Sequence, residues 1–196
     1  VNDADELKAA VKASGYIKLN ADITASIEIT NEVHLDLNGK TLTNEAGKPT
    51  ITVANGGSLT VDGSGTVDNV SHAKPAVLNQ QGGKVVLSGG SYTRSKEDSK
   101  ENSFYNLQNL GTMTINSGVS VTADGHYSSL VANGWMDGSQ NTAQEEANLT
   151  ITGGNFSGGL NTIKNDDWGV LKISGGNFSN TTQATVMNWN KTTVSG

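Results

Sequence analysis

Four residues of the C-terminal half have side chains that can carry out acid–base chemistry. Asp166 and Asp167 are adjacent in the stretch NDDWG. Asp124 and His126 lie close together in the stretch ADGHY. Two carboxyl groups can act as general acid and general base when their surroundings separate their pKa values. Because successive side chains of a strand point to opposite faces, Asp166 and Asp167 would not face one substrate on a strand. The sequence therefore predicts no catalytic site.

A second group of side chains suits binding rather than catalysis. All three tryptophans follow an asparagine within three positions, in the stretches NGW, NDDW and NW. Tryptophan and tyrosine among Asp, Asn and Gln suit the stacking of sugar rings, or they anchor a protein surface. In the alternative interpretation, the tryptophans pack under the long segment MDGSQNTAQEEA and hold it in place. The predicted binding residues are Trp135, Trp168, Trp189, Tyr127, His126, Asp166 and Asp167.

These residues belong to a sequence that repeats along the chain. The stretch LTITGGNFSG at 149–158 recurs as LKISGGNFSN at 171–180, and looser copies of apolar–x–apolar–polar–Gly occur elsewhere. An extended run ending in asparagine precedes each copy, and most copies are followed by another short extended segment. Each repeat unit is therefore interpreted as three short strands joined by turns. The marker asparagines are Asn31, Asn55, Asn79, Asn109, Asn133, Asn165 and Asn188.

The repeat predicts a solenoid. Alternating apolar and polar residues give each strand one buried face, and a unit of about two dozen residues has no core until other units stack on it. Stacking places equivalent strands side by side in parallel, with Leu, Ile, Val and the pair Phe156 and Phe178 inside. Identical asparagines at one corner can form a hydrogen-bonded ladder. We therefore expect an all-β, right-handed parallel β-helix with three short strands per rung and about seven rungs.

The two ends of the sequence differ. Residues 1–15 are predicted to form a capping α-helix, because DADELKAAVKAS has apolar residues at helical spacing, a capping box and a following glycine. This helix would cover the open edge of the first coil. Residues 16–196 are predicted to form the parallel β-helix. The closing stretch TTVSG stops where other copies continue, so we expect the chain to end within a rung of a longer protein.

Composition and charge weigh against several classes of function. A net charge of −6 and a pI of about 4.9 leave no basic face for nucleic acid or anionic lipid. Cysteine is absent, which removes disulfides and thiolate metal sites. No segment reaches the roughly 18 apolar residues of a membrane span, and the three histidines lack metal-ligand spacing. We expect no nucleic-acid partner, no membrane insertion, no bound metal and no cofactor.

An N-terminal helix followed by YIKLNADITASIEIT, VHLDLNGKTLTN and rungs of the form LTITGGNFSG resembles the pectate-lyase-like right-handed parallel β-helix superfamily. The resemblance covers essentially all 196 residues. It is specifically to the non-catalytic versions found in large surface proteins of gut-dwelling Gram-positive bacteria. The resemblance implies an extracellular module, at the bacterial surface or secreted, that binds a host protein, immunoglobulins included, or a glycan. No residue in the sequence selects among these partners.

The residues used by the superfamily's enzymes are incomplete here. Polygalacturonase-like members combine Asn-x-Asp, Asp-Asp, Gly-His-Gly and Arg-x-Lys elements on one face. This chain has the Asp-Asp element and, at 124–126, an approximation to the histidine element, but no Arg-x-Lys. Arg94, the single arginine, lies in the charged segment TRSKEDSKENS. Asp36 and Asp62 stand at different positions of the repeat pattern with no arginine beside them, which weighs against a calcium site.

Three functions stay open at this point. The leading hypothesis is a non-enzymatic adhesin or binding module that uses its lateral face and loops, and exposed tryptophans would favour it. The second is a lyase or hydrolase of acidic polysaccharide that uses Asp166, Asp167, Asp124 and His126. It would be favoured by a groove that holds Asp166 and Asp167 beside a cation. The third is a structural spacer, which tryptophans buried under the long segment would favour.

Overall fold

A computed structural model of the protein describes residues 1–135 and 146–195. Within these residues the chain forms one α-helix, one short 3-10 helix and 22 strands. The α-helix α1 is Ala4–Ala13, and the 3-10 helix is Lys100–Asn102. The strands, numbered in chain order, are β1 Gly15–Lys18, β2 Ile23–Thr24, β3 Ile27–Ile29, β4 Glu32–Asp36, β5 Lys40–Thr43, β6 Ile51–Val53, β7 Ser58–Asp62, β8 Gly65–Asp68, β9 Val77–Asn79, β10 Lys84–Leu87, β11 Gly90–Thr93, β12 Leu107–Asn109, β13 Thr112–Ile115, β14 Val119–Ala123, β15 Val131–Asn133, β16 Ala147–Ile151, β17 Asn155–Gly158, β18 Asn161–Asn165, β19 Gly169–Ile173, β20 Asn177–Ser179, β21 Ala184–Asn188 and β22 Lys191–Val194.

Every third strand belongs to the same sheet. Sheet A begins with β1, sheet B with β2 and sheet C with β3, and in the described residues they contain eight, seven and seven strands. Neighbouring strands in each sheet are parallel and three strands apart along the chain. Each coil therefore contributes one strand to each sheet. The prediction of an all-β parallel solenoid with a short N-terminal helix is confirmed.

Alternation along each strand puts the core inside the coils. In sheet A, Val33 and Leu35 of β4 pair in register with Leu59 and Val61 of β7, and all four side chains are buried. Burying a side chain of this size contributes about 1.5–3 kcal/mol. The rings of Phe156 and Phe178 stack in sheet B with centroids 4.8 Å apart and planes at 6°. Each coil therefore completes the core of its neighbour.

A ladder of asparagine side chains runs along the corner between sheets C and A. The Nδ2 atom of each asparagine donates to Oδ1 of the next, at 2.7 Å for Asn79 to Asn109 and for Asn109 to Asn133. The distance is 2.8 Å for Asn133 to Asn165 and for Asn165 to Asn188. The same Nδ2 atoms also approach backbone carbonyls of the adjoining turns, as Asn133 does with Ala147 at 3.1 Å. The predicted ladder therefore exists over these five coils.

The first two marker asparagines do not belong to this ladder. Asn79 pairs in register with Val53 of β6, and Val53 pairs with Ile29 of β3. Both apolar side chains are buried. Asn31 and Asn55 lie two positions further along the chain, and Asn55 is exposed in a turn. The prediction of one asparagine position in all seven copies is therefore wrong for these two coils, where an apolar residue occupies the position.

Glycine is required where the ladder meets the next strand. A Cβ atom at Gly83 would lie 2.3 Å from Oδ1 of Asn79, and one at Gly169 would lie 2.3 Å from Oδ1 of Asn165. Side-chain atoms do not approach this closely, so a larger residue would displace the amide. Glycine at these two positions is therefore explained by the space that the ladder needs.

The helix α1 is fixed at its start and packs on the first coil. The carboxylate of Asp3 accepts hydrogen bonds from the backbone N–H groups of Asp5 at 3.0 Å and Glu6 at 2.9 Å. Leu7 and Val11 are buried against the core. Lys8 also forms an ion pair with Glu45 in the turn after β5, and Lys48 approaches Glu45 at 2.6 Å. Hydrogen bonds from Lys48 and Lys8 lower the pKa of Glu45 to about 2.

Asn133→Ala should lower the free energy of unfolding by about 3 kcal/mol or more. It removes the acceptor of Asn109 and the donor to Asn165, and it leaves both partners buried. Urea unfolding followed by far-UV circular dichroism measures this change. The matched control is Asn55→Ala, which changes an exposed marker asparagine outside the ladder and should cost less than about 0.5 kcal/mol. Equal losses in the two variants would contradict the role of the ladder.

Glu45→Gln should weaken the dependence of stability on acid pH. The folded-state pKa of Glu45 is depressed, so its stabilising effect is present above the usual carboxyl range and is lost as pH falls towards about 2. The melting temperature of the wild-type protein should therefore fall more between about pH 5 and pH 2.5 than that of the variant. Glu28→Gln, at an exposed position of β3, is the charge-matched control and should behave like the wild-type protein.

Candidate binding face

The predicted site residues lie around the outer surface of sheet C in the C-terminal coils. Ala132, Lys164 and Met187 occupy equivalent positions on β15, β18 and β21, where Ala132 is buried and Lys164 and Met187 are partly exposed. One edge of this surface is formed by loops that enter sheet C, including 124–130, and the other edge by turns that leave it for sheet A. We call the surface between these edges, centred on Lys164 and Met187, the sheet C face.

All three tryptophans lie at the edge where the chain leaves sheet C. Trp189 is 67% exposed, whereas Trp135 and Trp168 are partly buried. Trp189 lies one position after its ladder asparagine, Trp135 lies two positions after, and Trp168 lies three positions after. Among the described aromatic pairs, no two tryptophan rings are in contact. They form a cluster at one corner rather than a stack of rings.

Backbone contacts hold this corner in place. The N–H of Trp135 donates to the carbonyl of Asp167 at 2.8 Å, and the N–H of Trp189 donates to the carbonyl of Asn165 at 2.8 Å. Trp168 adopts a left-handed backbone conformation with φ of 63°, which costs a non-glycine residue of order 1 kcal/mol. Its carbonyl accepts from the N–H of Ala147 at 2.9 Å. Residues 136–145 of the long segment lie outside the described residues. The predicted packing of the tryptophans under this segment therefore also lies outside them.

Asp166 and Asp167 have different surroundings. Asp166 is buried, and its carboxylate lies 3.0 Å from Nζ of Lys164. Asp167 is partly buried, and its backbone carbonyl accepts the hydrogen bond from Trp135. The expected cation beside this pair is therefore present for Asp166. Because the Asp166 carboxylate is only 7% exposed, however, a substrate has little access to it.

Asp124 and His126 lie at the opposite edge of the sheet C face. Both are exposed in the loop between β14 and β15, and the His126 ring packs on the ring of Tyr127 with centroids 4.2 Å apart. Asp166 and Asp167 follow β18, so a strand of three to five residues, on the order of 10–16 Å, separates the two pairs. The fold therefore does not bring the four acid–base candidates together.

A buried ion pair beneath the entering loops was not predicted. Arg94 is buried, and its guanidinium donates to the carbonyls of Lys74 at 3.0 Å, Asn102 at 2.6 Å and Ser71 at 2.6 Å. It also lies 3.3 Å from the carboxylate of Glu97, which is buried as well. Burial raises the pKa of Glu97, although Arg94 opposes this effect. Arg94 thus ties two loops together and does not face a substrate. A charged segment in the sequence gives no signal of these contacts.

Asp36 and Asp62 are direct partners on sheet A, contrary to the repeat alignment made from the sequence. The alignment was wrong because β4 pairs with β7 two residues away from the assumed position. The hydroxyl of Tyr16 donates to Asp36 at 2.8 Å, and Nε2 of His34 lies 2.7 Å from Asp62. In the described parts of the chain, no three His, Asp or Glu side chains are placed to hold a metal ion.

A cavity of about 180 Å³ opens between the loop edge and the sheet C face. Tyr105 and Tyr127 from two entering loops line it together with Asn161, Lys164 and Met187. Tyr127 is 40% exposed, and Asn161 is 2% exposed. The sequence pattern indicated Tyr127 but not the other lining residues, because they come from separate loops and coils and share no motif.

Comparisons with known proteins give no family for the chain. No family model matches it, and neither the curated proteins nor the solved structures contain a match. None of the helices in the described residues is long and apolar enough to cross a membrane.

Trp189→Phe should remove the most readily quenched part of the tryptophan fluorescence. Trp189 is largely exposed and the other two tryptophans are partly buried, so acrylamide reaches it most easily. Stern–Volmer plots of the wild-type protein and the variant measure this difference. Trp135→Phe is the control and should leave the quenchable part in place. A larger loss of quenching in the control would contradict the exposure of Trp189.

Proposed function

We propose that this chain is a non-enzymatic binding module of a bacterial surface or secreted protein, which recognises a host protein or glycan through the sheet C face. The observation that supports this proposal is the exposure of aromatic side chains at both edges of that face. Trp189 is 67% exposed at one edge and Tyr127 is 40% exposed at the other. Large aromatic side chains at a surface supply most of the binding energy in many interfaces.

The scaffold beneath these aromatic residues suits a binding role. Asn165 and Asn188 of the ladder lie directly under the corner that carries Trp189, whose N–H is bonded to Asn165. Residues held on a rigid framework lose little conformational entropy when a partner binds. Strained backbone at Trp168 also fits a site of interaction, since strain of this kind clusters at ligand sites.

The enzymatic and spacer alternatives have weaker support. The Lys164 and Asp166 pair meets one expectation for acid–base chemistry, but Asp166 is buried and Asp124 and His126 lie at the other edge. A spacer has no need of aromatic side chains exposed at both edges of one face, as Trp189 and Tyr127 are. The open aromatic edges therefore favour binding over both alternatives.

Trp189→Ala and Tyr127→Ala should each weaken binding to a host ligand about tenfold or more, because each removes an aromatic anchor. Biolayer interferometry against immobilised mucosal proteins, immunoglobulins included, and against mucin glycans measures the affinities. The matched control is Tyr16→Ala, which removes another exposed tyrosine, 63% exposed, from sheet A. This variant should bind like the wild-type protein.

Two results would contradict the proposal. One is binding that is unchanged in both variants or reduced equally in the Tyr16→Ala control, which would place recognition elsewhere. The other is release of unsaturated or reducing sugar ends from an acidic polysaccharide, abolished by Asp166→Asn, which would support the enzymatic alternative.

A further inference from the structure

We infer that the cavity between Tyr127 and Met187 is a subsite for one neutral sugar ring of a glycan. This inference rests on the proposed function and names the ligand class of one part of the same face. The cavity is built from the loops before β12 and β15, the turn before β18, and the strands β18 and β21. Successive coils thus supply its walls, and the solenoid fixes their positions.

The size of the cavity favours a single ring. A volume of about 180 Å³ corresponds to the space of about six waters. Pockets that enclose drug-sized ligands begin at about 300 Å³. The cavity is therefore too small for a folded peptide segment or an oligosaccharide, but one pyranose ring at the end or side of a glycan fits its scale.

The lining has the mixed character that a sugar ring requires. Tyr105 and Tyr127 supply aromatic surface for the C–H groups of the ring, and Met187 adds an apolar patch. At the base, Nδ2 of Asn161 donates to Oγ of Ser129 at 3.1 Å, and both residues are at least 97% buried. Oδ1 of Asn161 has no hydrogen-bond partner among the described residues. A buried amide and hydroxyl beside aromatic rings can bind sugar hydroxyls and discriminate between their positions.

Charge favours a neutral ring over an acidic one. The cationic group that lines the cavity, Nζ of Lys164, lies 3.0 Å from the carboxylate of Asp166, so its charge is already balanced. The whole chain carries a net charge of −6, which repels anions at long range. A sugar carboxylate would have to compete with Asp166, whereas a neutral sugar needs no charge partner.

Saturation-transfer NMR with the intact chain tests this inference. The probes are methyl glycosides of neutral hexoses and N-acetylhexosamines, with glucuronic acid and N-acetylneuraminic acid as acidic comparisons, each at about 10 mM. Neutral glycosides should give signal, and the acidic sugars should give little. Tyr127→Ala should weaken the affinity about fivefold or more through loss of a stacking surface.

Gln183→Trp provides a variant that does not disturb the core. Gln183 is exposed at the rim of the cavity, so a tryptophan there should occupy the cavity and abolish the signal while the melting temperature stays unchanged. Tyr16→Ala, on sheet A, is the control and should keep the signal.

Three outcomes would overturn the inference: no signal from any neutral glycoside, a preference for the acidic sugars, or a signal that survives Gln183→Trp. The proposed function is tested separately, through Trp189. If Trp189→Ala abolishes capture by a mucosal protein while no neutral glycoside binds, the sugar subsite fails and the binding module stands. If Trp189→Ala leaves capture unchanged and no neutral glycoside binds, both the proposed function and the sugar subsite fail.

Discussion

Each of four coils contributes one buried asparagine amide, at Asn79, Asn109, Asn133 and Asn165, whose side-chain partner lies in the next coil. The Nδ2 atom of an asparagine at the corner of sheets C and A has its partner in the next coil, at 2.7–2.8 Å throughout. An unpaired amide in the core is costly, so the coils are stable only when stacked in one register. The glycines that face the ladder and the turns that leave sheet C depend on that register. Trp135, Trp168 and Trp189 are therefore positioned by the same constraint that holds the fold together.

This dependence explains how a solenoid can carry varied loops. The corner that enters sheet C differs from coil to coil, from a two-residue turn at 159–160 to the long segment 94–106. Buried groups bind these loops locally: Arg94 ties 69–76 to 94–106, and Asn106 donates to the carbonyls of Tyr92 and Thr122 at 2.9 and 2.8 Å. Loop length can therefore change at one corner while the ladder keeps the register at another.

The sequence was sufficient to predict the fold because the same side-chain pattern recurs and each coil packs on its neighbour in the same way. The pair LTITGGNFSG and LKISGGNFSN predicts equivalent strands, and the structure pairs Leu149 with Leu171 and Phe156 with Phe178. The pattern was misleading in the two coils where an apolar residue occupies the ladder position. Ile29 and Val53 replace the asparagine there, and nearby Asn31 and Asn55 resemble it in the sequence. The repeat alignment inferred from the sequence was two residues out of register at β4 and β7, so it did not pair Asp36 with Asp62.

The candidate site was less predictable. Tryptophans after a repeated asparagine could be located at one corner, since the turn follows the strand. Arg94 and Glu97 are buried together, and Tyr105, Asn161 and Met187 line one cavity. Both arrangements depend on segments that are distant in sequence and share no spacing. Local patterns carry no information on such contacts. Exposure is likewise a property of neighbours, so Trp189 and Trp135 look equivalent in the sequence and differ in the structure.

The asparagine ladder also has a direction. All four links run from Nδ2 of an earlier coil to Oδ1 of a later one, so the side-chain amide dipoles are aligned head to tail. Aligned hydrogen bonds polarise one another, and their partial charges cancel along the ladder and remain at its two ends. The negative end lies at Asn79, whose Oδ1 has no partner among the described residues, and the positive end lies at Asn188. The ladder is thus electrically polar along the solenoid, and its positive end, where Nδ2 of Asn188 donates to the carbonyl of Asn190, coincides with the corner that presents Trp189.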